Sequence, residues 1–467
     1  MGINRAIDRL WVAFALFFLA LALRDVWIQT IAAPAIANNP HNPRWLLVAR
    51  NRGTIVARDG TVLAESTPRG RVYPYGTVFS HAVGYASARY GTSGLERAFD
   101  AELAAPMASL DPREQLAGLL AGGRRAEPHG QEVITTLDPA TQNTLFSALS
   151  QYPRAAGVVL DPRSGDVLAL ASVPAFDPEH IDTEFSSLLS DPATPLLDRA
   201  TDGLYPPGST FKIFTAAAAL DSGTVVPSDQ FVDNGALQVG SFVVEDNEGE
   251  ATGVEDLTGA FALSSNVDFA QIALKLGTAR WFEYADRFAL ARSMEFTLPT
   301  AIDHLPARNS VTPSILAQLA FGQADLAVTP LRMALVVSTI AAGGVEPRPT
   351  LVRGVRAATG YVARVPPGSL ATPIGADTAS EVRNLMIAVV RRGTGTAAAL
   401  ANVQVAGKTG TATNPAGRSH AWFVAFAPAD APRVAVAIVV ENAGYGGVVA
   451  APIARRVLGT ALERYRS

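Results

Sequence analysis

Apolar positions first cluster at the N-terminus, where Leu10 to Leu23 is unbroken. Arg24 and Asp25 interrupt the run and Val26-Trp27-Ile28 resumes it. As a helix, 10–28 measures roughly 28 Å, about one hydrocarbon thickness. Trp11 and Trp27 stand near the ends, as interfacial anchors do, and Arg24 is close enough to one end to snorkel. Arg5 and Arg9 precede the run, and no Lys or Arg lies between Asp25 and Pro43. That bias predicts a cytoplasmic tail over 1–9, a membrane anchor over 10–28 and everything later outside the cytoplasm. A cleaved signal peptide competes, but no small-residue cleavage site follows closely; Ala35-Ile36-Ala37 lies far on. The run has no polar face, which argues against an interfacial helix.

Beyond a Pro- and Asn-rich linker over 32–44, the apolar pattern shortens. Residues 53–63 alternate around Asp59-Gly60 and predict a hairpin. Residues 101–126 are rich in Ala and Leu and predict a helix. We assign 29–132 to a pedestal too short for a second enzyme, and 133–467 to a larger domain. In that domain Asp138-Pro139 opens a helix to Leu149, and 157–161 and 166–171 flank Pro162-Arg163-Ser164-Gly165 as a β-hairpin. Phe211, Ile213, Phe214, Ala216 to Ala219 and Leu220 are apolar nearly all round, predicting a helix buried in the core. It starts after Pro206-Pro207-Gly208 and stops at Asp221-Ser222-Gly223. Pro330 to Ala342 predicts another buried helix. Val403–Ala406, Ala421–Ala427 and Val434–Val440 predict an antiparallel meander, and Ala451–Tyr465 a closing helix. The fold class is therefore α/β of the α+β kind: an antiparallel sheet built from both ends of the domain and flanked by helices.

Composition narrows the chemistry. Apolar residues make up 48% and charged residues 17%, so the chain folds. A net charge of −4 gives no reason to expect nucleic acid binding. There is no cysteine, which removes thiol catalysis and thiolate metal sites. The six histidines are scattered, and no metal-ligand spacing appears among them. Of 38 basic side chains only Lys212, Lys275 and Lys408 are lysines. A desolvated lysine can act as a base and an arginine cannot. Lysine here points to a use for the amine.

Three segments then carry candidate chemistry. Ser209 and Lys212 are three apart, one helical turn, which suits a hydroxyl nucleophile with an amine to take its proton. Taken alone, the pair also fits a capped surface helix. Ser264 and Asn266 lie between two helical runs and share one direction in an extended loop; the alternative is that either simply caps the following helix. Lys408, Thr409, Gly410 and Thr411 continue a strand, where a lysine, two hydroxyls and a bare glycine suit carboxylate binding and close backbone approach. A phosphate loop is excluded there, because position 402 is Asn402 and no helix can start at Thr409. Gly444-Tyr445-Gly446 is not a dinucleotide fingerprint: its third glycine is replaced by Val449, and only 18 residues follow.

Together the three segments form the set found in penicillin-binding proteins and serine β-lactamases. The chain resembles the class B penicillin-binding proteins, which are peptidoglycan D,D-transpeptidases, along nearly its whole length. Arg52-Gly53-Thr54-Ile55 with Asp59-Gly60 and Leu63-Ala64, Gly91 to Glu96, Pro206 to Ser209, and Gly322-Gln323 with Val328-Thr329-Pro330 match that family. In size and pedestal it looks most like the small actinobacterial members, with no room for a glycosyltransferase domain. The resemblance implies a penicillin-binding domain in which Ser209 is the nucleophile and Lys212 its base. It makes Ser264 and Asn266 a proton relay and peptide grip, and Lys408, Thr409, Gly410 and Thr411 the carboxylate site. It implies stem peptides as substrates, β-lactams as inhibitors, no metal or organic cofactor, and a partner among the membrane glycan polymerases of the shape, elongation, division and sporulation group. A D,D-carboxypeptidase or serine β-lactamase would carry the same motifs. A β-lactam sensor or a scaffold for division or elongation is the non-enzymatic alternative.

Overall fold

The computed structural model describes residues 2–28, 52–104, 129–246, 251–357, 359–413 and 417–465. The linker expected over 32–44 and most of the helix expected over 101–126 lie outside these residues; of the latter, only Asp100–Leu103 is a short helical turn. Helix α1 runs from Gly2 to Val26. Its apolar side chains are exposed, Trp11 at 72% and Phe18 at 63%. Among the described residues, however, no helix is long and apolar enough to cross a membrane. The physical reason is at the ends of α1. Asp8 and Arg9 on one side and Arg24 and Asp25 on the other leave only 10–23 free of charge. That stretch is roughly 21 Å, short of a hydrocarbon core of about 30 Å. The expected span over 10–28 is therefore not shown by α1, whose uncharged stretch is shorter than a hydrocarbon core.

The expected hairpin is present. Strands β1 (Ile55–Val56) and β2 (Val62–Thr67) pair antiparallel, with Ile55 opposite Ala64 and Gly60 at φ +87° in the turn. β3 (Gly70–Val72) extends it. Helix α2 (Gly94–Ala98) brings Glu96 beneath these strands, fully buried. There Glu96 takes the Nε of Arg52 on one carboxylate oxygen and the Nε of Arg71, at 2.7 Å, on the other. Strand β4 (Glu132–Thr135) then lies parallel to β1.

Helix α3 (Pro139–Leu149) starts where Asp138 accepts the amide of Thr141 at 2.9 Å, as the Asp-Pro pair predicts. β5 (Ala155–Leu160) and β6 (Val167–Val173) form the next hairpin. The buried helix α4 (Lys212–Asp221), then α5 (Leu257–Leu263), α6 (Asn266–Leu276) and α7 (Pro330–Ala341) follow. β7 (Val352–Arg356) and β8 (Val362–Arg364) return to the pedestal and complete a six-stranded sheet in the order β8-β7-β4-β1-β2-β3. After α8 (Ala376–Arg392) come β9 (Ala406–Ala412), β10 (His420–Ala427), β11 (Val434–Val440) and α9 (Ala450–Glu463). The meander is as expected except that its first strand begins at Ala406, not Val403: Leu400 and Val403 form an isolated bridge before it.

The central sheet has the order β9-β10-β11-β5-β6, antiparallel throughout. Alternate residues feed two separate cores. Val158, Trp422, Val424, Ala437 and Val439 join α4 and α7 on one face, and Val159, Phe423, Ala425, Val436 and Ile438 join α3 and α9 on the other. Burial on both faces explains why these strands are continuous apolar runs rather than alternating ones. The Glu96 contact makes a testable demand. Glu96→Gln leaves the buried Arg71 guanidinium without a carboxylate and Arg52 with Asp100 alone, and lowers stability by about 3–5 kcal/mol, read as a shifted urea unfolding midpoint; a change within experimental error would remove the contact from the account.

Candidate active site

Gly208, at φ +54°, turns the chain into a 3₁₀ turn, Gly208–Phe211, from which α4 begins at Lys212. A side chain on Gly208 would meet the carbonyl oxygen of Thr411 at 2.9 Å, so the turn and β9 touch through bare backbone. Thr210 donates to the Pro207 carbonyl at 2.7 Å and fixes the turn. Ser209 is left at the surface of the cleft, and Lys212, one turn on, is fully buried.

The second wall differs from the extended loop expected of Ser264 and Asn266. α5 ends with Ser264 in the left-handed region at φ +67°, Ser265 caps α6 by accepting the Asp268 amide at 3.0 Å, and Asn266 is the first residue of α6. The two helices abut with two residues between them, and this junction aims both side chains at Lys212. The capping residue is Ser265, which the sequence did not single out.

The third wall is β9, an edge strand that carries Lys408, Thr409, Gly410 and Thr411, with Gly410 opposite Trp422. A Cβ at Gly410 would meet Thr210 Cγ2 at 2.8 Å and Pro207 O at 2.9 Å. The bare residue is what lets the strand seat against the Ser209 turn.

These walls bring two of the three lysines onto one hydroxyl. Lys212 Nζ lies 3.2 Å and Lys408 Nζ 2.8 Å from Ser264 Oγ. Lys212 also donates to the Ser264 carbonyl at 2.5 Å and to Asn266 Oδ1 at 2.8 Å. Burial drives the Lys212 ammonium down to about 7, against the pull of the Asp246, Asp268 and Asp233 carboxylates. Burial, and then the neighbouring Lys212, push Lys408 well below the usual lysine range. An uncharged amine has two N–H donors and one lone pair. On Lys212 the donors are taken by the Ser264 carbonyl and Asn266, which leaves the lone pair for a hydroxyl proton.

Ser209, Ser264, Thr409 and Thr411 line a cleft of about 360 Å³. All eight residues singled out in the sequence thus meet at one place, with Lys212, Asn266 and Lys408 behind Ser264 and Gly410 in the strand. Thr394, Thr396, Tyr445 and Val448 also line it and were not foreseen. Thr394 and Thr409 hydroxyls are hydrogen-bonded at 2.6 Å. Glycines were the available signal: a Cβ at Gly446 would meet Gly410 O at 2.3 Å, and one at Gly393 would meet Ala262 O at 2.3 Å. The glycine-rich stretch dismissed as a nucleotide motif is a close-packing segment against β9.

Residues 155–459 match the penicillin binding protein transpeptidase domain, and residues 52–131 match the penicillin binding protein A dimerisation domain. This chain belongs to the penicillin-binding-protein transpeptidase family. It is 34% identical to peptidoglycan D,D-transpeptidase PbpA of Mycolicibacterium smegmatis, over 98% of this chain and 99% of that protein. It is also 34% identical to PbpA of Mycobacterium tuberculosis, with the same coverage. Its fold superposes on penicillin-binding protein A from M. tuberculosis, solved as a ceftriaxone acyl-enzyme complex, with a TM-score of 0.81, 32% identity and coverage of 88% of this chain and 98% of that one. The D,D-transpeptidase domain of a peptidoglycan glycosyltransferase from Eggerthella lenta gives 0.80 at 34% identity, covering 89% and 98%. The transpeptidase fold and an N-terminal dimerisation-type domain are thereby shown. Within the transpeptidase domain, Gly410→Ala forces β9 away from the Ser209 turn. Acylation by a fluorescent penicillin should fall at least tenfold while circular dichroism stays unchanged; an undiminished rate would mean the strand seats elsewhere.

Proposed function

We propose that the protein is a peptidoglycan D,D-transpeptidase that cross-links stem peptides through a Ser209 acyl-enzyme and is inhibited by β-lactams. The observation that carries the reading is the convergence of Lys212 and Lys408 on Ser264 Oγ, inside a cleft onto which Ser209 opens. Relatives named as D,D-transpeptidases, alike over the whole chain, support it.

In this reading Ser209 Oγ attacks the carbonyl of the penultimate D-Ala, and the neutral Lys212 amine takes its proton. The backbone amides of Ser209 and Thr411 hold the developing oxyanion, each worth about 3 kcal/mol. As the bond to the terminal D-Ala breaks, Ser264, between the two lysines, passes a proton to the departing amine. Asn266 grips the peptide amide. Lys408, Thr409, Gly410 and Thr411 receive the terminal carboxylate. The amine of a neighbouring stem peptide then attacks the acyl-enzyme and frees Ser209. A β-lactam enters the same path and stops at the acyl-enzyme.

We assign 29–132 to the pedestal and 133–467 to the catalytic domain, which acts outside the cytoplasm on the bacterial wall. Exposed Leu10, Trp11, Phe14, Phe17 and Phe18 support α1 as the membrane attachment; Arg9 and Arg24 at the ends of its short uncharged stretch snorkel to the two interfaces, which leaves the tail 1–9 on the cytoplasmic side. A membrane glycan polymerase of the shape, elongation, division and sporulation group is the partner that fits a cross-linking enzyme with no polymerase motif.

Two substitutions test the chemistry. Ser209→Ala abolishes covalent labelling by a fluorescent penicillin; labelling at the wild-type rate sinks the assignment. Lys212→Arg keeps a cation but loses the base, so acylation should drop by about 10²-fold or more in a stopped-flow assay. Survival of the rate would reduce Lys212 to a structural part.

A further inference from the structure

Behind Lys212 lie three carboxylates that the mechanism above does not use. Asp233 ends the strand Gln230–Asp233, Asp246 follows the strand Phe242–Glu245, and Asp268 sits in the first turn of α6. They surround Ser265, the residue between Ser264 and Asn266. Ser265 Oγ lies 3.1 Å from Asp233 Oδ2 and 3.2 Å from Asp246 Oδ2. Asp246 also accepts the backbone amide of Asn266 through its other oxygen. Asp233 is anchored in turn by the amide of Gly235 at 2.7 Å and the hydroxyl of Thr252 at 2.8 Å. The carboxylate of Asp268 is buried, and neither oxygen has a hydrogen-bond partner.

Two buried carboxylates and a half-buried third at one turn are costly unless a positive charge faces them. The groups facing Lys212 are Lys408 from β9, Ser264 and Asn266 from the helix junction, and the rings of Phe269 at 5.5 Å and Phe321 at 6.0 Å. The carboxylates supply the only negative charge acting on that amine among the described residues. Without them, burial among aromatic rings and beside a second lysine would leave the amine with little hold on a proton at any stage of the reaction.

On the transpeptidase reading above, we propose that Asp246, backed by Asp233 and Asp268, is a positioning residue: its carboxylate fixes the Ser265–Asn266 backbone and supplies negative charge behind Lys212. The array lets the amine take the Ser209 proton, hold it while the acyl-enzyme forms, and give it up again. The carboxylates themselves fall into an order. Burial, and then the bond to Asp233, raise Asp246 to about 6. Burial, then the charges of Asp233 and Asp246, raise Asp268 to about 7. Burial works against Asp233, but hydrogen bonds from Asp246, Gly235 and Thr252 hold it at about 2. The array therefore gains protons as pH falls from 7 towards 6, and its hold on the Lys212 proton weakens over the same range.

Asp246→Asn separates geometry from charge. The amide oxygen still accepts from Asn266, its NH₂ can donate to Asp233, and one negative charge is gone. Removing a carboxylate near an ammonium lowers the ammonium's proton affinity. The acid limb of the acylation pH–rate profile should therefore move to lower pH, by about one unit. The assay is the second-order rate of acylation of the full chain by a fluorescent penicillin between pH 5 and 9. Asp268→Asn, which has no hydrogen bond to lose, should move the limb the same way, and it carries the test if Asp246→Asn does not fold. A limb that stays in place in a folded variant labelled to full amplitude overturns the proposal. If the wild-type protein is not acylated at all, the transpeptidase reading fails instead.

Discussion

Two buried amines on one hydroxyl are the constraint around which the catalytic domain is arranged. A buried ammonium without a partner costs several kcal/mol, and a second one beside it costs more. The protein meets this by letting the amines shed protons while three carboxylates keep Lys212 within reach of one. Every wall of the cleft contributes to that balance. α4 brings Lys212, β9 brings Lys408, and the α5–α6 junction brings the hydroxyl between them and, through Ser265 and Asn266, holds the carboxylates behind. None of these elements is near another in sequence. They meet because the central sheet is buried on both faces, with α4 on one of them.

Close backbone approach is the second requirement. The Ser209 turn, β9 and the segment 444–447 touch where side chains are missing, at Gly208, Gly410 and Gly446. Gly322 belongs to the same set: its carbonyl receives the Gly208 amide at 3.0 Å, and a Cβ there would meet Gly208 O at 2.3 Å. Apart from the place of Gly410 in the proposed carboxylate site, these glycines carry no chemistry of their own. They set how far the reactive side chains stand from one another.

Much of this was legible in the sequence because it is local. The Asp138 cap, the Asp59-Gly60 turn, the all-apolar α4 and the sheet strands each follow from a few neighbouring residues. The scarcity of lysine marked Lys212 and Lys408 before any coordinate did. What stayed hidden depends on partners far away in the chain. Thr394 becomes part of the cleft only because it meets Thr409, and Asp233 matters only because Ser265 folds back onto it. At 264–266 the two flanking helical runs are legible, but not the left-handed Ser264 or the cap at Ser265, which close the junction within two residues.

Strands β7 and β8, from deep in the catalytic domain, and β4, which leads into that domain, are laid into the same hydrogen-bonded sheet as the N-terminal hairpin. Domains joined by a linker and a polar interface swing freely by default. Here rotation would require main-chain hydrogen bonds to break along β4. The pedestal is thus a handle rather than a tether: whatever grips it aims the catalytic mouth, and a pull on one is delivered to the other as torque.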